Sequence, residues 1–316
     1  MVDTLEEKEQ KRSLSVEDFE KCFGSRVSNH VREEIQKYDF SYSDLSDKEY
    51  SSALSFYREY LENDLKVNGS HRQTEWEKGW SENWESFNES GDLRDLSPKY
   101  YNNCDNKILR FDGKLIKPHS DDFELNTHNV AISRTADLFM RDVDHIYDFG
   151  CGTGQNFVPI SKVNSRASLT GADWTQSSGK ILSKLKSSKG INCDFSLFNF
   201  FNPDYNLEIK PNSAVITVTA LEQVGKNFDK FIDYLVQSRP EICIHVEPII
   251  EFLNPESCPL DWSMYHYMKK RNYLDGLYKK LKTLEKDNII KIVAADRIRL
   301  GGFWTEGLST VVWKVK

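Results

Sequence analysis

The residues best placed to do chemistry lie in His145-Ile-Tyr-Asp-Phe-Gly-Cys-Gly-Thr-Gly-Gln155, where an acid, Asp148, precedes glycines at 150, 152 and 154. Glycines spaced this closely after a short apolar run let backbone amides approach a bound ligand that a Cβ would hold off. A second acid, Asp173, lies near the end of the next apolar run, 167–174, and an acid there suits a pair of ribose hydroxyls. The spacing is Asp-x-Gly-x-Gly-x-Gly and differs from the dinucleotide fingerprint Gly-x-Gly-x-x-Gly. Cys151 reads as a small residue filling a tight turn rather than as a nucleophile.

Two later segments place ionisable groups at strand ends: Thr217-Val-Thr-Ala-Leu-Glu-Gln223 and Ile244-His-Val-Glu-Pro248. Ligands of doubly wound sheets bind outside the carboxyl ends of the strands, which sets Thr219, Glu222 and Gln223 beside a reacting centre. Alternation puts His245 and Glu247 on one face of their strand, and such a pair inside an apolar strand costs free energy unless partnered. Either they act on a ligand or they form a structural hydrogen-bonded pair. His245, Glu222 and Glu247 are candidate general bases, and His266 is another. Tyr265, Tyr267 and Arg271 follow in a helical stretch, the last two sharing a face. Upstream, Trp76, Trp80 and Trp84 recur every four residues, a stripe that suits packing before it suits a ligand. Trp80, Asn83 and Tyr100, with Glu82, Tyr101, Phe123, Glu124 and Asn126, could close a lid.

These groups need a sheet to hold them. From about residue 144 strand-like runs (145–150, 167–174, 191–199, 214–221, 241–248) alternate with helical ones (155–162, 177–187, 227–238), predicting a doubly wound α/β fold. A long helix over 260–287 then precedes strands 288–300 and 309–316, which a short glycine-containing connection would pair antiparallel. The first 125 residues are acidic and helix-prone, with a tight hairpin signal at Asp112-Gly113. They suggest a mainly helical accessory or cap region (1–125) over a catalytic domain (126–316), with the first dozen residues disordered.

The glycine motif with its two acids resembles the first motif of the class I S-adenosylmethionine (SAM) methyltransferases. Their mostly parallel seven-stranded sheet ends in an inserted antiparallel strand, as the element order here would give. The resemblance implies SAM as cofactor and S-adenosylhomocysteine as product. It places Asp148 near the methionine amino group and Gly150, Cys151, Gly152 and Gly154 along the methionyl and ribose part. Asp173 would hold the ribose hydroxyls, Trp174 and Asn199-Phe200 would meet the adenine, and Thr219 would lie near the methyl. Asn199 departs from the family's commoner Asp, and Asp194 competes for its role from mid-strand. Substrate contacts would come from Gln223, Tyr265, Arg271, Trp80, Asn83 and Tyr100.

Methyl transfer is an in-line displacement, so the acceptor must be held about 3–3.5 Å from the carbon, with a base if it is a hydroxyl or a protonated amine. The polar candidates favour a sugar, an amino acid or a secondary-metabolite intermediate. A non-catalytic partner-binding subunit, a nicotinamide dehydrogenase and an enzyme acting on a peptide or carrier-bound substrate are the competing readings.

Composition narrows the partners. Net charge is −7, with 14 Lys/Arg against 23 Asp/Glu in residues 1–100 and 28 against 26 in the remainder, which disfavours nucleic acid. The run from Lys269 to Lys282 reads as one solvated helix face. No apolar run approaches a membrane span and no leader is evident at the start, so neither a membrane nor export is expected. Six scattered cysteines without a Cys-x-x-Cys pair suit a reducing cytoplasm and no metal site. The oligomeric state stays open, a homodimer included.

Overall fold

The structure, a computed structural model, describes residues 11–99 and 107–316; the first ten residues, Tyr100, Tyr101 and Cys104 fall outside the described residues. The chain opens with β1 (Arg12–Ser13) and α1 (Val16–Phe23). Ser15 starts α1 with a capping box, accepting from the Asp18 N–H while Asp18 accepts from the Ser15 N–H. After α2 (Asn29–Lys37) and β2 (Ser41–Asp44), a second capping box, Ser46 with Glu49, opens α3 (Asp47–Glu62). The tryptophan stripe lies on α4 (Gln73–Ser90), which stops at Gly91 in the left-handed conformation. The Asp-Gly turn forms as expected: β3 (Leu109–Phe111) pairs antiparallel with β4 (Lys114–Pro118), and Asp112 and Gly113 take φ of 47° and 79°. Positive φ at both central residues is what a two-residue hairpin requires.

The amino-terminal region is more than a helical cap. It also builds an antiparallel sheet, in the order β1-β2-β4-β3-β11, whose last strand arrives from far along the chain. Sequence patterning missed this because its strands are two to five residues long, too short to show a period.

Next, α5 (Phe123–Phe139) leads into the main sheet. Its elements follow in order as β5 (His145–Phe149), α6 (Phe157–Val163), β6 (Ser168–Asp173), α7 (Gln176–Lys189), β7 (Cys193–Leu197), β8 (Ser213–Val218), α8 (Asp229–Ser238) and β9 (Ile242–Val246). Then come α9 (Pro259–Arg271), α10 (Leu277–Lys286), β10 (Ile290–Asp296), β11 (Leu300–Gly301) and β12 (Thr310–Val315). The seven strands run β10-β12-β9-β8-β5-β6-β7, all parallel from β9 to β7, with β12 antiparallel between β9 and β10. This is the α/β sheet expected from the strand order.

Its inner strands are mostly apolar because both faces are covered. Ile146, Ile216, Ile244 and Val312 pack on the side of α5, α6 and α7, in a core that reaches Phe19, Phe40 and Phe87 of the amino-terminal region. Their neighbours Tyr147, Val215, Cys243 and Trp313 pack on the other side with Phe231 and Leu235 of α8 and Leu277 and Leu281 of α10. No helix among the described residues is long and apolar enough to cross a membrane.

Two expectations need correction. The helix read over 260–287 is two: α9 ends at Asn272, which takes φ of 52°, and α10 begins after Gly276 at φ of 100°. The left-handed Asn donates its N–H back to the Lys269 and Met268 carbonyls and stops the helix. The connection between the last two main-sheet strands is likewise longer than a hairpin. It leaves the sheet as β11 to pair Leu300 with Phe111 and Gly301 with Arg110.

Candidate active site

The glycine loop leaves β5 with φ of 75°, 51° and 71° at Gly150, Gly152 and Gly154. A Cβ on Gly150 would stand 2.4 Å from the Ala220 Cβ, and one on Gly152 would stand 2.9 Å from Cζ2 of Trp80. The first two glycines therefore bring the loop against its neighbours across a cleft, while a Cβ on Gly154 would meet Leu182 of α7 at 2.9 Å. Asp173 faces the loop from the end of β6. Its Oδ2 accepts from the Gly152 N–H at 3.0 Å, and its Oδ1 accepts from the Thr175 N–H at 3.0 Å and the Thr175 hydroxyl at 2.7 Å. Burial raises the Asp173 pKa and these bonds oppose the rise, so donors already hold the carboxylate at the wall of the cleft. Asp148 lies in β5 just before the loop, fully buried. Its Oδ2 accepts from Asn156 Nδ2 at 3.0 Å, and its Oδ1 has no partner among the described residues. Burial pushes its carboxyl up to about 7.

The cleft is walled by the glycine loop, Asp173, Trp174, Phe200, Phe201, Thr219 and Gln223, with Trp76 and Trp80 of α4 across it. Trp174 and Phe201 stand with their rings 25° apart in plane and 6.0 Å between centres. Part of the tryptophan stripe is thus a wall of the cleft as well as packing.

Side chains on and just before α4 tie it to the sheet. Glu77 accepts from the Gln176 and Ser177 N–H groups at 2.6 and 3.1 Å and from the Ser177 hydroxyl at 2.6 Å, capping the start of α7 from another part of the chain. Gln73 donates to the Trp174 carbonyl at 3.0 Å and Arg72 to Gln223 Oε1 at 3.2 Å. Substituting Glu77→Ala is expected to cost about 1–2 kcal/mol in urea unfolding, the usual worth of a cap, with Glu77→Gln costing less.

Beyond Thr219 and His128, which line both, lies a second cavity. His128, on the buried side of α5, sits 2.9 Å from Asn156 Oδ1 through Nε2. Because Asn156 donates its amide to Asp148, its oxygen must accept, and this 2.9 Å bond outweighs the 3.3 Å approach of the Gln155 amide to the same nitrogen, so Nε2 carries the proton and Nδ1 keeps a lone pair. Burial lowers the His128 pKa and keeps the imidazole neutral. Sequence reasoning passed over this residue, which belongs to no motif; a histidine amid the apolar positions of the helix before the glycine strand was the available signal.

Other candidates are placed elsewhere. His245 lies wholly inside the sheet: Trp313 Nε1–H donates to its Nε2 at 3.0 Å, and its Nδ1 lies 3.0 Å from Thr217 Oγ1. An indole can only donate, so Nδ1–H donates to Thr217, and the Thr217 hydroxyl is free to donate onward to Glu247. Glu247, equally buried, accepts from the Ala220, Leu221 and Glu222 N–H groups at 3.1, 3.0 and 3.3 Å. Glu247 thereby holds the 219–222 turn, where Thr219 takes φ of 47°, His245 is bonded on both ring nitrogens, and neither lines either of these two cavities, an arrangement that suits a structural role.

Asn83 is also spent on structure, donating to the Asp95 and Ser97 carbonyls at 2.7 and 2.9 Å. Asn199 turns its oxygen back to the Phe201 N–H at 2.9 Å, while Phe200 does reach the cleft. Tyr265 packs on His266, which packs on Trp262, and none of the three lines either cavity; Tyr267 does instead. Arg271 stands behind that wall, with its guanidinium 5.9 and 5.6 Å from the ring centres of Tyr267 and Tyr273. Glu222 lines the second cavity, Gln223 the first, and Tyr100 lies outside the described residues.

Comparison with models of protein families gives no match, and comparison with curated proteins gives none either. Solved structures with a similar course of chain include an O-methyltransferase from neocarzinostatin biosynthesis in complex with SAM and 2-hydroxy-5-methyl naphthoic acid. It is 12% identical, with 61% of this chain and 58% of that one covered and a TM-score of 0.40. The plantazolicin methyltransferase in complex with S-adenosylhomocysteine is 17% identical, with 78% and 98% covered and a TM-score of 0.44. An O-methyltransferase family 2 protein from Planctomyces limnophilus in complex with apigenin is 9% identical, with 61% and 59% covered and a TM-score of 0.43. The chain thus matches just over half the length of the first and third. Identities this low bear on the course of the chain alone, and what the cleft binds must be argued from its own residues.

Proposed function

We propose that the protein is a SAM-dependent methyltransferase acting on a polar small molecule, with the cofactor in the cleft and the methyl acceptor in the second cavity. The observation that carries this reading is Asp173, held at the cleft wall by the backbone of the glycine loop it faces. The fit is chemical as well as steric. Its carboxylate suits vicinal hydroxyls, the Trp174 and Phe201 rings suit a flat base, and Gly150 and Gly152 put loop backbone at the cleft wall. The unpartnered Oδ1 of Asp148 beneath the loop suits an ammonium reached directly or through water. When bound there, SAM supplies an electrophilic methyl group on a sulfonium.

The chain's own residues then do the rest. Thr219 and His128 stand where the cavities adjoin, and His128 Nδ1 can take the proton of a hydroxyl or ammonium acceptor there, a base role for which the sequence offers His245, Glu222, Glu247 and His266. Residues 1–125 serve as a cap over 126–316, with α4 supplying one wall of the cleft and excluding water.

Calorimetric titration with S-adenosylhomocysteine should give micromolar binding, and SAM incubated with polar metabolite pools should yield S-adenosylhomocysteine. Binding without turnover would return the chain to the non-catalytic class. No binding at all, with NAD binding in its place, would move it to the dehydrogenases.

A further inference from the structure

The ionisable groups left without a charged partner in the second cavity are acids. Among the described residues, Glu124 forms no hydrogen bond or ion pair, and it lies where a Cβ on Gly302 would come within 2.9 Å of its Oε1. Glu222 receives one neutral donor, the Gln223 amide at 2.7 Å. The cations on the same wall are occupied. Lys107 binds Asp121 at 2.9 Å, and Arg110, itself buried, donates to the Phe303 and Leu260 carbonyls at 2.9 Å each and to Ser263 Oγ at 2.8 Å. Aromatic rings complete the enclosure. Tyr267 stacks on Trp304 with centres 4.7 Å apart and meets Tyr273 edge-on at 5.6 Å, and Phe303 lies beside Trp304 at 5.2 Å.

We infer that this cavity binds a ligand carrying a basic nitrogen, an alkylammonium or similar organic cation, lodged between Glu124 and Glu222 with the aromatic rings about it. Carboxylates answer the charge, and aromatic faces attract a partly desolvated cation without competing for its hydrogen bonds. A neutral or anionic ligand of equal size would leave the two carboxyls unanswered. This inference rests on the reading of the cavity as the acceptor chamber, and it narrows the polar small molecules to basic ones.

The carboxyls are poised accordingly. Burial pushes Glu124 up to about 7, against the pull of Lys107. Burial and then Glu247 push Glu222 up to about 8, against the Gln223 bond, Arg271 and Arg72. Tyr267 and Tyr273 face Glu222 as neutral phenols, their own pKa values raised by burial. A cation entering the cavity would ionise both carboxyls.

The test uses the full chain and three probes of one shape: phenethylamine, 2-phenylethanol and phenylacetate, each titrated with and without saturating S-adenosylhomocysteine. Phenethylamine should bind at least about tenfold more tightly than the alcohol, with the acid weakest. Its affinity should rise from about pH 6 to about pH 9 as the carboxyls ionise, while that of the alcohol stays flat. Glu124→Gln and Glu222→Gln should each weaken the amine about fivefold or more while leaving S-adenosylhomocysteine binding within about threefold.

Equal affinity for amine and alcohol in the wild type overturns the inference, and so does amine binding that neither substitution weakens. The first comparison needs no variant to fold. If S-adenosylhomocysteine binds and the amine has no advantage, the inference fails alone. If the amine binds selectively and S-adenosylhomocysteine does not bind, the methyltransferase reading fails and the cation site stands.

Discussion

Replacing Asp173 by alanine should weaken S-adenosylhomocysteine binding by about 100-fold or more, because two charge-assisted hydrogen bonds to ribose are worth about 1.5–3 kcal/mol each. The loss has a second source. Asp173 also accepts from Gly152 and Thr175, so its removal frees the glycine loop that holds the methionyl part in the proposed function. Asp173→Asn keeps an oxygen for one of these donors and should fall between the two. Calorimetry decides the matter, with circular dichroism to show that the variant is folded. Binding within about threefold of wild type would mean that the carboxylate does not touch the ligand.

His245→Ala should destabilise the fold by about 3–5 kcal/mol, the range for emptying a buried site and stranding its hydrogen-bond partners. Trp313 Nε1–H would lose its acceptor inside a fully buried sheet, and Thr217 would lose the donor that orders its hydroxyl toward Glu247. Urea unfolding measures the loss. The cofactor cleft should suffer less, since Glu247 still holds the Ala220, Leu221 and Glu222 amides. A general base would behave in the opposite way, losing turnover while keeping stability.

The same residue gives a pH signature. Burial holds His245 down to about 3, below the ordinary histidine value. The unfolded chain takes up a proton as pH falls below about 6.5 and the native chain does not, so the stabilisation present above that pH is lost toward pH 3. The stability advantage of wild type over His245→Asn should therefore shrink by about 1.4 kcal/mol for each pH unit between about 6 and 4.

What the sequence determined by itself was local. The glycines at 150, 152 and 154 and the Asp112-Gly113 turn depend on backbone conformations that only certain residues tolerate, so their types could be read without their neighbours. The alternation of apolar strands and helices gave the sheet for a similar reason: burial imposes a period, and periods survive in one dimension.

Only the tertiary structure decided which polar side chains were free to act. His245 and Glu247 looked reactive on their strand, yet Trp313, which is 68 residues away, and the amides of the 219–222 turn take up their hydrogen-bonding capacity. Asn83 went the same way. Conversely, His128 belongs to no motif and Glu124 read only as a lid residue, but α5 brings them to a cavity whose other walls come from β3, α9 and the strap around β11. That strap's departure from the main sheet leaves no periodic trace. A buried polar group is structural or available according to what stands opposite it, and the opposing group is chosen by packing between distant segments rather than by spacing along the chain.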